Sequence, residues 1–146
     1  MLQRDLAARK TAGTGPGRGV CVFLTVLAMY ATFWAALVAL AWAGLSPERV
    51  LDLELENAMA YLPVWARVLI FVWSGLMIAG TVAAWMGRLQ AFFWIALAVP
   101  AHVAVFTQLG SNPYYDGELG YLNIALELAA VYLLFRPIQA SWPASP

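Results

Sequence analysis

An all-α, integral-membrane four-helix bundle is the fold this sequence predicts, and three observations predict it. Residues of the AVILMFWYC set fill 63% of the 146 positions and charged residues only 11%, against about 45–50% and 25% in soluble globular chains. Four segments run with almost no charge over the ~17–25 residues that a helix needs to cross a bilayer. Their apolar residues fall on every face rather than at alternate positions, which argues against the strands of a barrel. In an open chain of this size only helices satisfy their own backbone in lipid. A soluble domain is thereby excluded.

The first span covers residues 20–43, the second 68–86, the third 91–109 and the fourth 119–135. Charged Arg67 and Arg88 bound the second span, Glu127 is the one carboxylate inside the fourth, and Pro137 is expected to end it. The domain organisation follows: a flexible cytoplasmic tail over 1–19, rich in glycine, a transmembrane domain over 20–137, and a short cytoplasmic tail over 138–146. Basic residues lead into the first span and Ala41-Trp42-Ala43 closes it, which is also the pattern of a cleaved signal peptide. The apolar run exceeds the ~7–15 residues of a signal h-region, so a retained anchor is expected.

Orientation comes from the basic residues. Arg4, Arg9, Lys10 and Arg18 precede the first span, Arg88 lies between the second and third, and Arg136 follows the fourth. The other side holds Arg49 and Arg67 against Glu48, Asp52, Glu54, Glu56, Asp116 and Glu118. The positive-inside rule places both termini in the cytoplasm, with two acidic loops outside a cell inner membrane. The first outer loop carries a short amphipathic element over residues 47–60 with conflicting signals. Ser46-Pro47-Glu48 reads as a helix start, whereas Leu51-Asp52-Leu53-Glu54-Leu55-Glu56 alternates as a strand does. The choice between helix and strand stays open.

Close helix approach in lipid favours small residues at four-residue spacing. Gly75, Ala79, Ala83 and Gly87 form such a helix-packing stripe in the second span, and Ala31, Ala35, Ala39 and Ala43 form another in the first. Either stripe serves packing within the chain or contact with a second copy.

Chemistry must come from the few polar groups at membrane depth. At 1.5 Å per residue, His102 and Glu127 both lie ~10–12 Å below the outer interface, and Ser74 falls in the same layer. Asn123 is one turn from Glu127 on the same face. A charge at this depth costs at least ~2.5–3.5 kcal/mol, so Glu127 is expected to be protonated or paired and to point into the bundle. Pro100, two residues before His102, frees the carbonyl of Ala96 and is expected to kink the third span. His102, Glu127, Ser74 and Asn123 are therefore the candidate ligand-binding residues. A His102–Glu127 pair would suit a quinone-like or other small apolar ligand, or the passage of a proton. The plainer alternative is that these groups only bridge neighbouring helices.

Residue inventory excludes several classes. Eight basic residues balance eight acidic ones, leaving no basic surface for nucleic acid. One histidine cannot supply both axial ligands of a bis-histidine haem. A zinc site would need ligands beyond His102 and Glu127, and Cys21, the one cysteine, can form neither an internal disulfide nor a thiolate cluster. No phosphate loop, nucleophile elbow or HExxH is present. A single ionisable pair does not line a channel. No cofactor and no catalytic residue can be named. The sequence favours a non-catalytic or accessory subunit that sits in the lipid bilayer with a membrane-protein partner or a second copy, and a ligand-binding or redox subunit is the alternative.

The stretch from Leu62-Pro63 through Val105, with its glycine-bearing apolar second span, the turn Met86-Gly87-Arg88-Leu89 leading straight into the third, and then the outer loop and residues 118–135, resembles the DoxX-like family of small four-helix bacterial membrane proteins. What the resemblance implies is an inner-membrane protein with a link to quinone-coupled sulfur or thiol redox complexes. It carries over no catalytic residue, because the matching positions are packing and turn positions. Cys21 stands alone where thiol chemistry needs a pair.

Overall fold

The computed structural model describes residues 15–45, 55–111 and 118–140. Among the described residues five helices follow one another: α1 (Arg18–Trp42), α2 (Leu55–Tyr61), α3 (Val64–Trp85), α4 (Gln90–Leu109) and α5 (Glu118–Ala140). Four of them are long and apolar enough to cross a membrane, with mean hydropathies of 2.1, 2.0 and 1.7 for α1, α3 and α4, and 1.5 for residues Glu118–Arg136 of α5. This is a multi-pass membrane protein. Its outside agrees: Val22, Val26, Met29, Val68, Val72, Leu97 and Leu128 are all exposed, a surface that water would not tolerate over such an area but that lipid solvates.

α3 is the hub of the bundle, packing most extensively on α4 and next on α1, while α5 leans on α4 and more lightly on α1. Leu24, Leu27, Ala31 and Val38 of α1, Ile70, Trp73 and Met77 of α3, Ile95, Ala98 and Val105 of α4, and Ala130 and Leu134 of α5 form the core. Hydroxyls bind the α1–α3 seam as well. Thr81 donates to the Leu24 carbonyl at 3.2 Å, and the Trp85 indole N–H donates to Thr25 Oγ1 at 3.1 Å. In lipid such bonds add to packing because no water competes for them.

Several boundaries move from their sequence-based positions. α3 starts at Val64, four residues earlier than the charge of Arg67 suggested, because extended Pro63 (φ −64°, ψ 153°) stands at the N-cap. Arg67 is accommodated by its own helix end, donating from Nε to the Leu62 carbonyl at 2.9 Å. At the other extreme, Pro137 does not end the last helix, which continues to Ala140. Proline removes a single N–H from the ladder, and near a helix end that loss is small enough to be absorbed. α4 likewise continues without a break through Pro100. The open choice in the first outer loop resolves in part: Leu55 and Glu56 begin the helix α2, while Ser46, Pro47, Glu48 and Leu51 to Glu54 lie outside the described residues.

The small-residue stripe of α3 lies only partly inside the bundle. Gly75 is exposed, and a Cβ built on it would meet nothing within 4 Å. Ala79 is half-buried, and only Ala83 of the four is buried. The close approach to α4 is at Gly80, where a Cβ would fall 2.4 Å from Ile95 Cδ1. Four-residue spacing identifies a row of small side chains, but several rows coexist on α3 and packing selects which one faces a neighbour.

Gly87 has a different task. Its φ of +66° is left-handed, and the Gly87 and Arg88 amides donate to the carbonyls of Ala84 and Ala83 at 2.9 Å each, closing α3 in a Schellman-type turn. The turn reverses the chain into α4 within four residues and meets the start of the described chain: a Cβ on Gly15 would lie 3.1 Å from Gly87 Cα. Phe92 and Phe135 pack at 5.5 Å at this same end, so Arg18, Arg88 and Arg136 share it. Gly87→Ala should cost about 1–2 kcal/mol, the ordinary cost of a side chain in the left-handed region, as measured by thermal unfolding in mild detergent. An unchanged melting temperature would mean that the turn relaxes to another geometry.

Candidate functional site

Three helices converge on one oxygen. Glu127 of α5 is fully buried at 0% exposure. Its Oε1 accepts the indole N–H of Trp73 from α3 at 2.8 Å and the side-chain amide of Asn123, one turn back on α5, at 3.2 Å. The Nδ1 of His102 from α4 lies 3.1 Å from the same atom. Glu127 Oε2 has no hydrogen-bond partner among the described residues. His102, Trp73 and Asn123 are themselves buried.

Each element contributes for a local reason. Glu127 and Asn123 are four apart, hence on one face of α5. The face is inward because Ala130 and Leu134, at the +3 and +7 positions from Glu127, are core residues. On α4, His102 falls on the stripe formed with Ala98, Val105 and Leu109, all buried. On α3, Trp73 lies between Ile70 and Met77 on the inward stripe. Its ring stacks on His102 with centroids 4.0 Å apart and planes 18° from parallel, so the imidazole is held both by its edge, through Glu127, and by its face.

The sequence-derived candidates divide accordingly. His102, Glu127 and Asn123 meet. Ser74 does not join them: it is buried, but its hydroxyl points to the other side of α3, 3.5 Å from Thr32 Oγ1 of α1. Trp73, one position earlier, is the donor that sequence reasoning missed. A signal was available, since an indole N–H at membrane depth requires an acceptor and Glu127 was the one carboxylate in the spans.

Next to the cluster, a recess opens between α1, α3 and α4. Tyr30, Trp34, Ile70, Trp73, His102 and Phe106 line it. Tyr30 meets Trp34 and Trp73 edge-on, with centroids 6.3 and 6.2 Å apart. Its free volume is ≈ 10 Å³, room for about one water molecule and far below the ~300–1,000 Å³ of drug-sized sites, so a larger occupant would have to part the aromatic walls. Glu127 holds Nδ1 of His102, and no hydrogen bond to Nε2 occurs among the described residues. His102 and Tyr30 are the ionisable side chains among those lining the recess. No group of three or more His, Cys, Asp or Glu side chains gathers among the described residues to hold a metal.

Compared with protein-family models, curated proteins and solved structures, the chain finds no match. What the site does must be argued from its own geometry. One hydrogen-bonded ring nitrogen, one free ring nitrogen and aromatic walls can bind a polar head on an apolar body, and can accept or release a proton at that head.

Proposed function

We propose that this protein binds a small, membrane-soluble apolar molecule by a single polar head at His102, in the recess between α1, α3 and α4. The observation that supports it is the arrangement of His102 itself: Nδ1 3.1 Å from Glu127 Oε1, the ring stacked on Trp73, and the residue on the wall of an aromatic-lined recess. A cluster serving stability alone gains little from such groups, since apolar replacements of buried polar networks are often neutral or stabilising. The accessory-subunit reading drawn from the sequence has no comparable local feature in its favour. The resemblance to DoxX-like proteins is in keeping with the ligand-binding reading, because it implies a place beside quinone-linked complexes.

Mass spectrometry of solvent extracts from protein purified in mild detergent tests this. The expected result is one class of apolar small molecule enriched over an unrelated four-helix membrane protein prepared alike, and lost from a His102→Leu variant that keeps its melting temperature. Equal small-molecule content in the wild type and this variant would refute the reading.

The same proposal places the protein in the inner membrane with both termini cytoplasmic, supported by exposed Arg18, Arg88 and Arg136 at one end of the bundle. In a Cys21→Ser background, a cysteine introduced at Ser111 should react with an impermeant maleimide in spheroplasts, and one at Arg88 only after lysis. The reverse pattern would invert the topology.

A further inference from the structure

We propose that the seam between α1 and α3 holds a phospholipid: one acyl chain lies in a groove on its lipid-facing side, and an anionic headgroup is bound at the end of that groove by Arg18 and Arg88. The groove is walled by Thr25, Ala28, Met29, Thr32 and Ala36 of α1 and by Ile78 of α3, with a free volume of ≈ 370 Å³. That lies within the ~300–1,000 Å³ of ligand sites. It exists because Ala28, Thr32 and Ala36, at four-residue spacing on one face of α1, leave the space that larger side chains would fill. Tyr30 and Trp34 stand on another face of α1, so the groove is separate from the recess at His102.

Length and chemistry both suit an alkyl chain. Ala36 lies eleven positions beyond Thr25, ~16 Å along a helix, which is about half of the ~30 Å hydrocarbon core and so the depth of one leaflet. The two hydroxyls in the wall are already spent. Thr25 donates to the Cys21 carbonyl at 2.8 Å and Thr32 to the Ala28 carbonyl at 2.7 Å, while their oxygens accept from Trp85 and Ser74. Nothing is left there to orient a polar molecule.

Charge decides the headgroup. Arg18 is on the face of the groove, seven positions before Thr25 with exposed Val22 between them, and the ~10 Å of helix is a distance that a lipid's glycerol region and the guanidinium stem span together. Arg88 comes to the same end because the Trp85 indole N–H donates to Thr25 Oγ1 at 3.1 Å and the turn at Gly87 meets Gly15. Both arginines are exposed, and neither forms an ion pair among the described residues. No described acidic residue stands at this end: Glu56 and Glu118 belong to the opposite one, and Glu127 is buried in the bundle. A second copy in the same orientation would set these cations against their own counterparts, whereas a lipid phosphate neutralises them.

Native mass spectrometry of the full chain in mild detergent, titrated with dioleoyl phosphatidylglycerol or dioleoyl phosphatidylcholine, tests this. The phosphatidylglycerol should be retained about ten- to thirty-fold more tightly, the margin that two basic side chains near an anionic headgroup give. Arg18→Ala with Arg88→Ala should abolish that preference, and Arg136→Ala, which removes the same charge at the same end away from the groove, should leave it. Ala36→Phe fills the groove at an exposed position and should weaken both lipids while the melting temperature holds. Equal retention of the two lipids, a preference reduced as much by Arg136→Ala as by the paired variant, or one that Ala36→Phe leaves intact, would each overturn the site. A dimer that Ala36→Phe abolishes would give the groove to a second copy and overturn it as well.

Discussion

Glu127→Leu is expected to lower stability in mild detergent by about 2–3 kcal/mol, and to do so more than the loss of any one of its partners. Leucine fits the volume but accepts nothing, so the Trp73 indole N–H, the Asn123 amide and the His102 ring lose their common acceptor at once. Two effects compete over the size. A buried donor left alone costs about 1–3 kcal/mol in a soluble core, whereas interhelical hydrogen bonds in membrane proteins average about 0.6 kcal/mol because the unfolded state in lipid also finds partners. Three bonds at the smaller figure amount to about 2 kcal/mol, which sets the floor. Glu127→Gln keeps an acceptor oxygen and should cost about 1 kcal/mol, mostly for an amide N–H placed where Oε2 now lacks a partner. Trp73→Phe removes one donor and leaves the carboxyl two others, so its hydrogen-bond cost falls below that of Glu127→Leu. Reversible unfolding of the four proteins, followed by tryptophan fluorescence and by circular dichroism, gives the order. If Glu127→Leu matches the wild type, the convergence on Oε1 contributes no net stability.

Gly80→Ala should be the most damaging single-methyl insertion in the α3–α4 interface. The added carbon would fall 2.4 and 2.7 Å from Cδ1 and Cγ1 of Ile95 and 3.3 Å from Trp94 Cβ. Ile95 is fully buried, so its side chain has no free direction in which to swing, and α3 and α4 share the largest contact in the bundle. Overpacking of this kind costs about 1–3 kcal/mol, against which the better helix propensity of alanine returns less than about 1 kcal/mol. Gly75→Ala, five residues away on the same helix, meets open space and should be neutral or slightly stabilising. Shortening Ile95 to alanine should rescue Gly80→Ala, so the double variant loses less than the sum of the single ones. Equal stability of Gly75→Ala and Gly80→Ala would show that α3 packs on α4 by a different face.

The count of four spans, their approximate limits, the common depth given to His102, Glu127 and Ser74, and the place of Asn123 one turn from Glu127 came from the sequence alone. These are local properties: hydropathy is summed along the chain, depth is residue number times helical rise, and Asn123 and Glu127 share a face because they are one turn apart. The tertiary structure decided how each helix is rotated about its own axis. It turned Trp73 rather than Ser74 toward Glu127 and gave Ser74 to Thr32. It brought Gly80 rather than Gly75 against α4 and spent Gly87 on a left-handed turn. In segments apolar on all sides, the residue pattern marks no unique inward face, and rotation is set by which side chains interlock across helices far apart in sequence. The recess has the same origin. Its walls come from three helices whose mutual placement no single segment encodes, so the residues of the site were visible in the sequence while its shape, and the free nitrogen of His102 that gives it chemistry, arose only from packing.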